Sequence, residues 1–202
     1  RVQELTRMEP RPGSWWFQRE TAGGGALMSM GTHSVRTLRL LAGGDAKQVF
    51  AAFSEAVSPD IGLEGEDTST LTVKFDNGVV GNVFTSWAAL RARRDTRFEV
   101  YGTDGTILDL GGFGTPYPRV ADTLVVHSSK LPPVAPDMGE LRIDLKDHPH
   151  QDGFAAECRE FVDWIRSERD SPISAAQGRK DLEIVEAGYR AAATGQAVRI
   201  RQ

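Results

Sequence analysis

The segment from residue 47 to residue 110 consists of short runs rich in valine, phenylalanine and threonine, separated by glycine-containing turns. The clearest pair of runs flanks Asp76-Asn77-Gly78. Residues 68–75 (TSTLTVKF) alternate apolar and polar side chains before this turn, and residues 79–87 continue after it. Asn-Gly between two such runs is a strong signal for a β-hairpin. Because hairpins build antiparallel sheets, this block constrains the fold more than any other feature.

Other predicted elements surround this hairpin. Further strands are predicted at residues 1–9, 47–57, 97–101, 106–110, 141–145 and 198–200, with only short strands such as 123–127 in the proline-rich stretch 111–140. The 3.6-residue apolar period predicts helices at 26–42, 151–166 and 174–195. The strands cluster instead of alternating with helices. The pattern therefore predicts an α+β fold, a mostly antiparallel open β-sheet with helices packed on one face.

Composition limits the kinds of partner. The 202 residues carry a formal net charge of −4, with 40% hydrophobic and 26% charged residues, the balance of an ordinary globular protein. We expect one α+β domain over residues 1–202 and no nucleic-acid partner, since nucleic-acid binders usually carry a basic face. No run approaches the ~20 apolar residues that cross a bilayer. The single cysteine, Cys158, rules out an intrachain disulfide. We expect no membrane partner and a cytoplasmic location.

A run of three glycines, Gly23-Gly24-Gly25, precedes the helix predicted over residues 26–42. Backbone N–H groups at a helix start suit either a tight entry turn, the interpretation that we favour, or an anion site. The spacing does not match the dinucleotide fingerprint G-x-G-x-x-G. No cofactor-binding residue is therefore assigned in this chain.

His33 is the residue of this helix best suited to chemistry. At 100° per residue it falls on the flank of the apolar stripe, about 40° around the helix from Ser29. Both side chains can therefore line one cleft. Histidine exchanges protons near neutral pH, so His33 is a candidate acid or base. The alternative is a packed or solvated histidine.

Two other clusters carry weaker signals. Asp147-His148-Pro149-His150 contains two histidines, but the proline breaks helical ligand spacing and no second cluster accompanies it, so no metal site is expected. The arginines of the second cluster form a basic run typical of a solvated loop; the alternative is contact with an acidic ligand, partner or domain. They are Arg91, Arg93, Arg94 and Arg97.

Several motifs, taken in order, resemble those of the Gfo/Idh/MocA oxidoreductases. Residues 23–33 (GGGALMSMGTH) are similar to the family pattern G-G-G-A-L-x-D-x-G-x-H. The further matches are Trp15-Trp16, Glu66-Asp67-Thr68, residues 75–78 (FDNG), residues 99–105 (EVYGTDG), residues 154–161, and the closing segment 186–198. The resemblance spans nearly the whole chain, and the ordered set is more specific than any one motif.

The resemblance implies a two-part enzyme. An N-terminal Rossmann domain binds NAD or NADP, and a C-terminal α+β domain contacts substrate and often forms the oligomer through its open sheet face. This chain resembles only the second part. We therefore expect the Rossmann domain to be absent from this chain, no dinucleotide to bind the chain alone, and the isolated chain to be inactive. Two departures matter: Ser29 and Arg36 stand where the family usually or often has Asp, while His33 is retained.

The resulting hypothesis is the substrate-binding and oligomerisation domain of an NAD(P)-dependent dehydrogenase that acts on a sugar, polyol or similar hydroxyl compound. It further implies a homo-oligomer formed through the sheet face. The resemblance implies catalytic roles for His33 and Ser29 and substrate contacts for Trp15, Trp16, Arg19 and Arg36. Two alternatives stay open. One is a non-catalytic binding or assembly module, which Ser29 and Arg36 favour. The other is NAD-dependent glycoside hydrolysis in the same cleft.

Overall fold

A computed structural model describes residues 1–9, 13–54, 62–89, 95–110, 123–135, 138–145 and 153–200. The chain divides into two compact units. The first unit comprises Arg1–Arg94 and Ala175–Gln202, and the second comprises Asp95–Ser174.

The first unit contains a five-stranded, mostly antiparallel sheet. Its strands are β1 (Val2–Leu5), β2 (Ala46–Phe53), β3 (Thr68–Phe75), β4 (Val80–Ser86) and β9 (Val198–Arg199). They lie in the order β1-β4-β3-β2-β9. Only the β1–β4 pair is parallel among these strands as the structure describes them.

The β3–β4 hairpin forms at the predicted turn. Leu71 pairs with Val83 and Val73 with Gly81, and β3 has the predicted bounds. Gly78 closes the turn with a φ of 88°, a left-handed conformation that glycine adopts without steric cost. This pairing confirms the hairpin prediction. The hairpin could be predicted because all of its sequence signals lie in one turn and the two strands beside it.

Two long helices of the first unit pack on one face of this sheet. They are α2 (Thr32–Ala42) and α4 (Ala175–Thr194), with a π-helical turn at Leu27–Gly31 directly before α2. The first unit also contains the short helix α1 (Arg19–Ala22). Two glycines show the close approach: a Cβ on Gly81 of β4 would lie 2.4 Å from a Leu38 methyl, and one on Gly188 of α4 would lie 3.2 Å from a Leu71 methyl. The opposite face keeps polar side chains such as Lys74 exposed. The predicted α+β class with helices on one face is confirmed.

Close packing of this face supplies much of the stability. The buried apolar side chains come from both layers: Val35 and Leu38 from α2, Ile184 and Val185 from α4, and Val49, Leu71, Val73 and Val83 from the sheet. Fully burying one such side chain contributes about 1.5–3 kcal/mol. The sheet and the two long helices therefore form a rigid scaffold for the segment that joins β1 to α2.

The second unit contains an antiparallel sheet and one helix. The strands are β5 (Asp95–Gly102), β6 (Gly105–Asp109), β7 (Thr123–Ala135) and β8 (Met138–Asp144), in the order β8-β7-β6-β5, and the helix is α3 (Gly153–Ser167). The prediction of only short strands between 111 and 140 is wrong, since β7 has 13 residues. Strand β6 pairs with β7 only as far as Ser128. Pro132 and Pro133 lie beyond that point, where a missing N–H breaks no bond to β6.

No helix is predicted for residues 13–22, yet the structure has helical turns there. This segment contains a 3₁₀ turn at Trp15–Phe17 followed by α1. Phe17 is buried in a cluster with Ala26, Met30 and Trp87, and its ring centroid lies 6.1 Å from that of Trp87. Tertiary burial of one aromatic ring thus orders a segment whose own sequence shows no period.

Candidate functional site

The three-glycine run lies against the carboxylate of Glu66. The N–H of Gly25 donates to Glu66 Oε2 at 3.1 Å and the N–H of Leu27 donates to Oε1 at 2.8 Å. The N–H of Ala26 donates to the backbone carbonyl of Glu66 at 2.8 Å. Three successive backbone N–H groups at the start of the helical segment therefore donate hydrogen bonds to one buried residue, Glu66. A negative charge at a helix N-terminus is favourable.

Glycine is required here because the backbones approach so closely. A Cβ on Gly25 would lie 1.9 Å from the Glu66 carbonyl oxygen, and one on Gly24 would lie 1.9 Å from the Tyr189 hydroxyl. Gly23 has a φ of 80° and ends α1. The favoured interpretation, a tight entry turn, is correct. The amides also hold an anion, and that anion belongs to the protein itself.

Tyr189 of α4 completes this arrangement. Its hydroxyl donates to Glu66 Oε1 at 2.8 Å and accepts from the N–H of Gly25 at 3.2 Å. Burial, followed by the adjacent charge of Glu66, raises the pKa of Tyr189 far above its ordinary value. The phenol therefore stays protonated and remains a hydrogen-bond donor. Helix α4 is tied to the glycine turn through this one side chain.

The chain continues from this turn into the π-helical turn Leu27–Gly31, where a regular α-helix was expected. The N–H of Ser29 donates to the Gly25 carbonyl at 3.1 Å, and the Thr32 hydroxyl donates to the Ser29 carbonyl at 2.8 Å. A π-helical turn holds more residues than an α-helical one. The 100° step, and the 40° separation of Ser29 from His33 derived from it, therefore do not apply across this segment.

The two candidate catalytic residues lie on this turn and just after it. His33 is the second residue of α2 and its side chain is exposed, while Ser29 is half-buried. The carbonyl of His33 accepts from the Thr37 hydroxyl at 3.1 Å. The backbone of His33 is therefore part of a hydrogen-bonded helix turn, while its imidazole is open to solvent.

The predicted substrate contacts are distributed differently. Trp15 and Trp16 are 59% and 39% exposed, with ring centroids 5.1 Å apart. Both lie next to Phe17, whose buried ring contacts the π-helical turn at Met30. Phe17, which follows the two tryptophans in the same 3₁₀ turn, thus joins this turn to the segment that carries Ser29.

The two arginines predicted to contact substrate have different neighbours. Arg19 is exposed, and its backbone N–H donates to Glu64 Oε2 at 3.0 Å. Arg36 is half-buried and directed at α4, with 3.4 Å between its Nη1 and Gln177 Oε1 and 4.0 Å between its Nη1 and Asp181 Oδ2.

A cleft of about 400 Å³ opens beside the glycine turn. It is lined by Arg19, Gly23, Met28, Glu186, Tyr189 and Arg190. The structure thus brings Arg19 next to Met28, the residue before Ser29. Sequence reasoning missed the α4 side of this cleft, although positions 186, 189 and 190 share one helix face by their spacing.

The two weak clusters do not contribute to this site. His127, which belongs to neither cluster, is on β7 of the second unit, 3.8 Å from a carboxylate oxygen of Glu140. Arg97 is on β5. The other residues of the two weak clusters, His148, His150, Arg91, Arg93 and Arg94, fall outside the described residues. Within the described ranges, no three histidine, cysteine or acidic side chains are placed to share a metal ion. Nor does any helix in that part of the chain combine the length and hydropathy of a membrane span.

Comparisons with known proteins agree on one family. A family model described as the GFO/IDH/MocA C-terminal domain matches residues 2–108. The chain is 26% identical to the myo-inositol 2-dehydrogenase of Thermotoga maritima, over 94% of this chain and 52% of that protein. It is 30% identical to a putative UDP-kanosamine synthase oxidoreductase subunit of Amycolatopsis mediterranei, over 78% of this chain and 52% of that protein.

A solved structure matches the whole chain. It is a levoglucosan dehydrogenase in complex with NADH and levoglucosan, with a TM-score of 0.82 and 25% identity, covering 100% of this chain and 58% of that one. The chain therefore spans about half the length of the curated relatives it matches.

Proposed function

This chain belongs to the GFO/IDH/MocA family, matching its C-terminal domain, and from that premise we propose that it is the substrate-binding and oligomerisation domain of an NAD(P)-dependent oxidoreductase. The proposed substrate is a sugar, polyol or similar hydroxyl compound. The names of its relatives support this class, since they include a myo-inositol 2-dehydrogenase and a levoglucosan dehydrogenase bound to NADH. The proposal also includes a cytoplasmic location.

The observation that carries the proposal is the exposed imidazole of His33 on the first turn of α2, directly after a turn held by Glu66. In the proposed reaction His33 takes the proton of the substrate hydroxyl as the C–O bond becomes a carbonyl. Bound NAD(P) supplies the acceptor for the hydride that leaves the same carbon. Ser29 contacts substrate or His33, and Trp15 and Trp16 offer aromatic faces at the mouth of the site.

The arginines have supporting roles in this proposal. Arg19 borders the cleft next to Met28 and would donate to substrate oxygens. Arg36 is a further candidate contact, although its guanidinium is already directed at Gln177. Its substitution should therefore affect substrate KM less than substitution of Arg19.

The glycine turn of this chain does not fit a dinucleotide. The N–H groups of Gly25, Ala26 and Leu27 are the donors that a pyrophosphate would need at a helix start, and all three are bonded to Glu66. The cofactor is therefore proposed to bind to another domain, and this chain alone should show no saturable heat with NAD or NADP in calorimetry. Micromolar binding to the isolated chain would contradict this assignment.

The decisive experiment measures turnover in the full-length protein that carries this chain, with NAD or NADP and a panel of sugars and polyols. His33→Ala should lower kcat by about 10²- to 10⁴-fold, the scale of a lost acid or base. It should change the free energy of unfolding by less than about 1 kcal/mol, because the side chain is exposed. His127→Ala is the matched control and should keep full turnover. A His33→Ala variant that loses more than about 1 kcal/mol of stability but keeps wild-type turnover would refute the catalytic role.

The second candidate function is a non-catalytic binding or assembly module. Ser29 favours it, because a serine supplies no negative charge beside the imidazole. Ser29→Asp distinguishes the two: under the dehydrogenase proposal the added charge favours the imidazolium and raises or preserves turnover. Absence of turnover in both wild type and Ser29→Asp, with sugar binding retained, would favour the module. Release of alcohol from a glycoside panel would instead indicate NAD-dependent glycoside hydrolysis.

Self-association is proposed through the sheet face opposite the helices. Phe50 and Val80 are 41% and 57% exposed on that face, and exposed apolar side chains there favour a partner surface. Sedimentation at micromolar concentration should show a species larger than a monomer, which Phe50→Glu and Val80→Glu reduce to monomer. Leu40→Glu, on α2 and 75% exposed, is the control and should leave the assembly intact. A wild-type monomer would contradict this part of the proposal.

A further inference from the structure

The start of the helical segment has no cap from its own neighbours. No side-chain cap bond is made by Ala26 or by Gly31, the residues that precede the π-helical turn and α2. The donors are satisfied instead by Glu66, which lies 41 residues from Gly25 and 39 from Leu27 along the chain. A local serine or aspartate would satisfy a helix start without burying a distant charge. The long-range cap therefore fixes the turn to the sheet as well as capping it.

Three elements meet at the Glu66 carboxylate. Glu66 directly precedes Asp67 and β3, Tyr189 belongs to α4, and the amides of Gly25 and Leu27 belong to the turn. The approach is tight enough that a Cβ on Gly65 would lie 2.6 Å from the Gly25 nitrogen. The turn cannot shift relative to the sheet or to α4 without breaking a buried charge-assisted hydrogen bond.

A short chain of hydrogen bonds joins this point to the candidate catalytic residues. The Gly25 amide is held by Glu66, and the Gly25 carbonyl accepts from the Ser29 N–H at 3.1 Å. The Ser29 carbonyl accepts from the Thr32 hydroxyl at 2.8 Å, and His33 is the next residue. Ser29 is thus two hydrogen bonds from the Glu66 carboxylate. The intervening turn is π-helical, a form often found at functional sites.

We propose that Glu66 and Tyr189 are positioning residues, which hold the π-helical turn so that Ser29 and His33 keep one fixed placement relative to the substrate. This inference rests on the proposed dehydrogenase function for its kinetic consequence. Its structural consequence does not depend on any activity. Active-site groups must be held within about 0.5 Å of their productive geometry by a supporting shell. Glu66 and Tyr189 form that shell on the side of the sheet and α4.

The kinetic test uses the full-length protein and four variants: Glu66→Gln, Tyr189→Phe, their double variant, and Val73→Ala. Val73 is fully buried in β3, about 23 Å along the strand from Glu66, so Val73→Ala destabilises the same sheet without touching the turn. Glu66→Gln should lower kcat by about 10- to 100-fold, since a misplacement near 1 Å costs up to about 10²-fold. The KM for substrate and the Kd for NAD(P) should stay within about threefold.

Coupling between the two residues gives a second readout. Tyr189→Phe removes one hydrogen bond and keeps the carboxylate, so its kcat should fall by less than that of Glu66→Gln. The double variant should have the kcat of Glu66→Gln alone, because both residues act through one turn. Val73→Ala should keep kcat within about twofold of the wild-type value, even where it lowers the melting temperature as much as Glu66→Gln does. Equal losses of kcat in Glu66→Gln and Val73→Ala would overturn the proposal. Should Glu66→Gln fail to fold, the comparison of Tyr189→Phe with Val73→Ala decides it.

Hydrogen exchange of the 202-residue chain tests the same inference without any substrate. Glu66→Gln and Tyr189→Phe should speed exchange at the amides of Ser29 and His33, whereas Val73→Ala should leave these two amides close to wild type. Unchanged exchange in Glu66→Gln would overturn the positioning role. Turnover that is absent from the wild-type protein would refute the proposed function, while this exchange comparison would still decide the inference.

Discussion

The buried ion pair between α2 and α4 gives the sharpest test of how the first unit is held together. Arg39 and Asp181 are each 8% exposed, and an Nη1 hydrogen of Arg39 is donated to Asp181 Oδ1. The same guanidinium donates to the Gln177 carbonyl at 3.0 Å and to its side-chain oxygen at 2.9 Å. Within the described part of the chain, Asp181→Ala leaves the buried Arg39 guanidinium with hydrogen bonds only to the neutral acceptors of Gln177. Breaking a buried pair in this way costs about 3–5 kcal/mol, and we expect about 3 because two bonds to Gln177 remain.

The same helix provides a more exposed ion pair for comparison. Arg179 and Glu183 are 2.9 Å apart between Nε and Oε1, with exposed fractions of 81% and 33%. Glu183→Ala should therefore cost only about 0.3–0.5 kcal/mol. Urea unfolding followed by circular dichroism gives both free energies of unfolding from the midpoint and slope. The double variant Arg39→Met/Asp181→Leu should recover most of the loss, since apolar replacements of a buried pair are often neutral or stabilising. Equal costs for Asp181→Ala and Glu183→Ala would refute the burial argument.

Two further outcomes follow from the structure. Gly25→Ala should lower the free energy of unfolding by at least about 2 kcal/mol, since its Cβ meets the Glu66 carbonyl. Gly178→Ala should raise the free energy of unfolding by about 0.5–1 kcal/mol, because its Cβ meets open space inside α4. Equal shifts of the melting temperature in the two variants would contradict this. The hydrogen bond from Lys180 lowers the pKa of Asp45 below its ordinary value of 3.8. Its contribution is therefore complete above that value and is lost as pH falls through the lower folded-state pKa. Lys180→Met should lower stability by less than about 1 kcal/mol near pH 6, and this loss should shrink as the pH falls below 3.8, as pH-dependent urea midpoints would show.

The parts of the fold that the sequence predicts are those whose signals are local. The alternation of Leu71, Val73 and Phe75 with a following Asn77-Gly78 turn specifies both face and register of the β3–β4 hairpin. The bounds of α4 follow in the same way from the apolar period and from the glycine at position 195, which adopts a φ of 66°.

The predictions that are wrong concern elements whose structure depends on contacts with residues distant along the chain. Strand β7 continues through Pro132 and Pro133 because β6 has already ended opposite Ser128, a fact that no local pattern contains. The helix before His33 begins as a π-helical turn although its residues fit an α-helical period. Its first amides are bonded to Glu66, and a tertiary partner overrides the local preference.

The three-glycine run shows why the candidate site was only half predictable. A glycine-rich helix start indicates both a close backbone approach and an anion, and the two interpretations compete when the sequence is considered alone. In the structure they are one arrangement, since the carboxylate of Glu66 enters where Gly24 and Gly25 leave room. An external phosphate at this turn would have to displace a buried, triply bonded carboxylate and leave its charge uncompensated. Under the proposed dehydrogenase function, the glycines therefore serve the geometry of Ser29 and His33, and a cofactor bound to the full-length protein would reach His33 from outside this turn.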